Sequence, residues 1–122
     1  MKPLAQTDLP SSPSPAAAPN IAAALDLLWT RFQPEIWNRV ELLAIAAAAC
    51  AANELTAAQR EAAHDAAHKL AGTLGTFNLA HGTDLAREFE LLTSGEDAPD
   101  SATVERMVSI AVELRTIIDS RK

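Results

Sequence analysis

An all-α fold, an antiparallel four-helix bundle with a short additional N-terminal helix, follows from three features of these 122 residues. Hydrophobic residues make up 48% of the chain but aromatics only 4%, and alanine dominates the apolar share. Such a mixture suits closely packed helices better than sheet, which favours β-branched and aromatic side chains. Apolar residues recur at spacings of three and four in successive segments, and none keeps the strict alternation of a half-buried strand. Four long amphipathic segments joined by short loops read as antiparallel neighbours.

The elements follow in chain order. Residues 1–19 carry five of the seven prolines, interleaved with Ser and Ala. That composition makes a linker or a plain disordered tail, and the helical bundle takes residues 20–122. Asn20 is a good N-cap for a short first helix with Ile21, Leu25, Leu28 and Phe32 on one face. Pro34 then suits the first turn of a second helix reaching about Ala52. Its expected buried stripe is Ile36, Trp37, Val40, Leu43, Ala47 and Cys50. "NEL" breaks that helix, and Thr56 with Gln59 forms a capping box for the third, which should end near Asn78. A fourth helix, 79–93, packs Leu85, Phe89 and Leu92 and is stopped by Gly95. After the turn "GEDAPD", a fifth covers 101–120 with Val104, Met107, Ala111, Leu114 and Ile118 on one side.

Charge and composition exclude several functions. A net charge of −6 without a basic stripe argues against nucleic acid as a partner. Cys50 stands alone, so the chain has no internal disulfide framework. The longest apolar run, Leu42 to Ala52, is about half of what spans a bilayer, and the start has no apolar core of signal-peptide type. The expectation is a cytoplasmic monomer. With no strand there is no strand-borne phosphate loop, and Cys50, in an alanine run, reads as a buried inert thiol. Trp29 and Trp37 read as core or inter-helix packing, and Asp84, Arg87, Glu88 and Glu90 as the solvated face of the fourth helix.

The informative stretch is "AAHDAAHKLAGTLGTF", Ala62 to Phe77. On a wheel at about 100° per residue, Gln59, Ala63, Ala66, Leu70, Leu74 and Phe77 gather opposite His68. Within about 60° of His68 lie Glu61, His64, Asp65, Ala71, Gly72 and Gly75. His68 therefore points to solvent, over a face with charge at one end and almost no side chain at the other. Each glycine costs a helix interior about 1 kcal/mol relative to alanine. The wheel puts both on the wrong side to serve helix packing, so they read as clearance for another protein's backbone. Glu61 and Asp65 are carboxylates that would favour a protonated imidazole. "HDAAH" has the histidine spacing of the HExxH zinc motif, but Asp65 replaces the glutamate with a shorter arm, and no metal site is expected.

The stretch "AHKLAGTLGTFNLAHGTDLAREFE", Ala67 to Glu90, resembles the histidine phosphotransfer (HPt) domains of bacterial two-component phosphorelays. His68, Leu70, Gly72 and Gly75 match the family's pattern, and "LAREFE" is similar to its block on the next helix. The resemblance implies an HPt-like helical bundle and a phosphorelay intermediate, not an enzyme in its own right. His68 would be the phosphoacceptor, exchanging the group with the aspartate of receiver domains, and Gly72 would clear space for the receiver. It further implies receivers and a histidine kinase as partners, with Mg²⁺ supplied by the receiver and no cofactor of the chain's own. The family often has lysine three residues after the histidine. Here that position is Ala71, and Lys69, next to His68, is the candidate substitute. His64 and Asp65 complete the expected supporting face. A non-catalytic helical docking or adaptor domain, or the phosphoacceptor domain of a larger histidine kinase, are the alternatives.

Overall fold

The computed structural model describes residues 17–95 and 98–121. Four α-helices and no strand occur among them: α1 (Ala17–Ala51), α2 (Ala57–Thr76), α3 (Ala80–Leu92) and α4 (Ser101–Ser120). The all-α reading and the four long helices hold. The expected linker lies outside the described residues as far as residue 16, as do residues 96 and 97 of the expected turn.

The separate short helix is the main correction. α1 runs unbroken for 35 residues, with Asn20 inside it and Pro34 in its interior instead of at a first turn. Proline removes one backbone donor, yet the strong alanine and leucine propensity on both sides carries the helix through, and Pro34 lies on the exposed side. The face expected to be buried is open: Ile21 is 62%, Leu28 38% and Phe32 40% exposed.

Two compact units are distinguished, Met1–Arg31 and Phe32–Lys122. The described part of the first is the beginning of α1, in which Trp29 is buried. The second holds a four-helix core. α1 contributes Ile36, Val40, Leu43, Ala46 and Ala47, and α2 contributes Ala63, Ala66, Ala67, Leu70, Ala71 and Leu74. α3 adds Leu85, Ala86 and Phe89, and α4 adds Met107, Ile110, Ala111, Leu114 and Ile118. Trp37 is only half-buried because it sits about 100° round from Ile36. Cys50, Leu92 and Val104 fall in end turns of their helices, where cover thins, and are also half-buried. Burial still raises the Cys50 thiol pKa.

Local chemistry sets the helix ends. The Thr56 hydroxyl accepts from the Gln59 backbone N–H, and the Gln59 side chain accepts from the Thr56 N–H, completing the predicted capping box. α2 ends at Thr76, where Asn78 takes a left-handed φ of 62° and the Leu79 N–H reaches back to the Leu74 carbonyl. Asn53 does the same after α1, with φ 59°. α3 stops at Leu92, before Gly95. Asp100 caps α4 by accepting from the Thr103 N–H at 2.8 Å.

Polar links tie the helices of the second unit together. Arg106 on α4 grips Glu88 on α3 through two hydrogen bonds of 2.6 and 2.7 Å. Arg115 on α4 meets Glu41 on α1 at 2.8 Å. Exposed pairs of this kind contribute at most about 1 kcal/mol each, so the packed apolar faces hold the bundle. No helix among the described residues is long and apolar enough to cross a membrane.

Candidate functional site

α2 and α3 position the site. His68 stands on α2 with its side chain 71% exposed, as the wheel requires. Its Nδ1 lies 2.9 Å from Glu90 Oε2 on α3. Since the carboxylate only accepts, Nδ1 carries a proton, and in the neutral ring it is then Nε2 that keeps the lone pair. Among the described residues nothing lies within hydrogen-bond distance of Nε2. An outward imidazole is thus held in one tautomer with its basic nitrogen free.

Beside it is a shallow cavity of about 390 Å³ lined by His68, Ala71, Gly72, Arg87, Glu90 and Leu91. Each helix contributes residues at i, i+3 and i+4: 68, 71 and 72 from α2, and 87, 90 and 91 from α3. Leu91 is 72% exposed at its rim. A Cβ added at Gly72 would meet nothing within 4 Å, so the bare backbone there faces open space.

The supporting residues separate into two flanks. On the wheel His64 and Ala71 lie on one side of His68, at about 40° and 60°, while Gly72 and Asp65 lie on the other. α3 covers the first flank. Ala71, expected on the open face, is therefore buried at 4% exposure, and it serves as the cavity floor. Its carbonyl accepts from the buried Thr83 hydroxyl of α3. His64 is half-buried, and its Nδ1 sits 3.0 Å from the Glu90 main-chain carbonyl and 3.2 Å from Thr93 Oγ1. It satisfies a carbonyl in the last turn of α3 instead of facing a partner. Gly75 stays exposed, and a Cβ there would come only to 3.4 Å from Thr83 Oγ1.

On the open flank Lys69 Nζ pairs with Asp65 Oδ2 at 3.0 Å, and neither residue lines the cavity. Glu61 lines a separate depression with His64 and Arg60. His81 meets Glu113 at 2.9 Å on the α3–α4 side, apart from His68. Among the described residues, no three His, Cys, Asp or Glu are grouped to hold a metal ion.

Glu90, Arg87 and Leu91 are the residues that sequence reasoning missed. Arg87 and Glu90 read as a solvated face, and Glu90 is instead the partner of His68. The marks in the sequence were the block "LAREFE", which contains both Arg87 and Glu90, and Leu91, a large apolar residue next to that polar face.

Comparison with known proteins gives a concordant result. The family model described as "Hpt domain" matches residues 27–120. Protein RcaC of Microchaete diplosiphon is 32% identical over 97 residues, which cover 80% of this chain and 15% of RcaC. The chain thus spans a small part of that relative's length. No solved structure matches it.

Proposed function

The chain belongs to the Hpt domain family, a phosphocarrier module of two-component signalling, and from that premise we propose that it carries a phosphoryl group on His68 between receiver aspartates. The observation that carries the reading is the Glu90–His68 hydrogen bond at 2.9 Å on an exposed imidazole. Glu90 holds the Nδ1 proton, and its negative charge makes Nε2 more electron-rich and balances the positive charge the ring gains on substitution.

The step is a direct displacement. The Nε2 lone pair attacks phosphorus of a receiver's aspartyl phosphate, and the P–O bond to the aspartate breaks. Its electron pair leaves with the carboxylate, while Nδ1 keeps its proton against Glu90. Return to a second receiver is the same step reversed. Such transfer depends on positioning and charge stabilisation more than on covalent machinery, which suits a site with one nucleophile and little else. Gly72 leaves room for the receiver's loop, and Leu91 offers it an apolar contact. The Mg²⁺ is the receiver's, and a histidine kinase is the source of phosphate upstream.

Incubation with a phosphorylated receiver should place acid-labile phosphate on the wild type and none on His68→Gln. Label that persists in that variant overturns the assignment of His68 and directs attention to His64. Stable receiver binding with no label on the wild type would instead make the chain a docking domain.

A further inference from the structure

We propose that Arg87 is the positioning cation of this site, pairing with the oxygens of a phosphoryl group on His68; the inference rests on His68 being the carrier. A phosphoryl group brings close to two negative charges to a cavity that already contains the Glu90 carboxylate. Without a cation the two repel across a few ångströms. The position three residues after His68, one turn along the same helix, is the apolar and buried Ala71. Lys69 is adjacent in sequence but is held by Asp65 on the opposite flank, outside the cavity.

Arg87 is placed otherwise. It lines the cavity with His68 and Gly72, one turn before Glu90 on α3. It is exposed, and among the described residues it has no ion-pair partner. Arg39, Arg106 and Arg115 are each tied to a carboxylate. Arg87 does not fold back onto Glu90, which is engaged with His68. A guanidinium offers a planar fork of donors that matches two phosphoryl oxygens at once. Arg87 forms and breaks no covalent bond. It lowers the energy of the charge gathering on phosphorus as Nε2 attacks, and it holds the product's oxygens away from Glu90.

Phosphoramidate, a small anionic donor, tests this with no protein partner. Nε2 attacks its phosphorus, the P–N bond breaks, and the nitrogen, already protonated in the zwitterionic donor at neutral pH, leaves as ammonia with the bond's electron pair. Wild type should gain label that His68→Gln lacks. Arg87→Ala should label about tenfold more slowly, the size expected for losing one charge-assisted contact. Arg87→Lys should recover part of the rate, and Lys69→Ala should match wild type. The ³¹P signal of the labelled protein gives a readout that a structural role would not move. Its titration midpoint should rise in Arg87→Ala and return toward wild type in Arg87→Lys. Equal rates and midpoints in wild type and Arg87→Ala overturn the role of Arg87 while His68 stands. Slowing in Lys69→Ala instead gives the role to Lys69. Absence of label at His68 in wild type overturns the carrier reading itself, and Arg87 with it.

Discussion

A Cβ added at Gly82 would lie 2.9 Å from Leu74 Cδ1, whereas one added at Gly72 would meet nothing within 4 Å. The two glycines mark the inner and outer sides of the same α2–α3 pair. On the inner side, Gly82 lets α3 approach the core leucines Leu74 and Leu114. On the outer side, Gly72 leaves a gap next to His68 that nothing in the bundle fills. Leucines and histidines divide the same way. Leu85 is buried and Leu91 is 72% exposed, while His64 caps α3 and His68 faces out. One helix pair thus has a side built for packing density and a side built for access, and each can be altered separately.

The largest expected contrast is between Phe89→Ala and Leu91→Ala. Phe89 is fully buried, so its truncation should cost about 3–5 kcal/mol in denaturant unfolding. Leu91→Ala should stay within about 0.5 kcal/mol and weaken receiver binding instead. If both destabilise alike, Leu91 belongs to the core and the outer side is misread. Next come the glycines. Gly82→Val should destabilise by about 1–3 kcal/mol through overpacking. Gly72→Ala should stabilise by about 1 kcal/mol, because the helix gains propensity at no steric cost, while transfer from a phosphorylated receiver slows. Faster or unchanged transfer in Gly72→Ala would break the clearance argument.

The smallest effect is electrostatic and belongs to the packing side. The hydrogen bonds from Arg106 hold the Glu88 carboxyl below its ordinary range, and capping of α4 does the same for Asp100. A lowered folded value means that each group stabilises fully above its unfolded pKa of about 4. That contribution is lost as pH falls through the lowered value. Glu88→Gln should therefore flatten the acid limb of a stability–pH curve and leave neutral-pH transfer to His68 unchanged. A change in transfer would show that the two sides are coupled.

How much could be read in advance differs between the two sides. Helix periodicity exposed His68 and buried Leu70 and Leu74, because those positions depend only on the turn of one helix. The capping box at Thr56 and the end of α2 near Asn78 were equally local. The pairing of His68 with Glu90 was not legible, because it joins two helices whose relative rotation no single-helix pattern specifies. The same reason hid the burial of Ala71 and the packing role of Gly82: a wheel tells which angles are apolar, not on which flank the neighbour leans. Pro34 misled in the other direction, since the strong helix formers around it outweigh one missing donor.

By itself the sequence determined the helical class, the exposed histidine beside bare backbone, and the resemblance that gave both a meaning. Only the tertiary structure decided which carboxylate holds His68, which flank α3 covers, and that Arg87 shares the cavity. Helix formation and facing are set by interactions within a few residues, and those are written consecutively in the chain. A site made across two helices depends on their register and rotation, which the whole packed core fixes together.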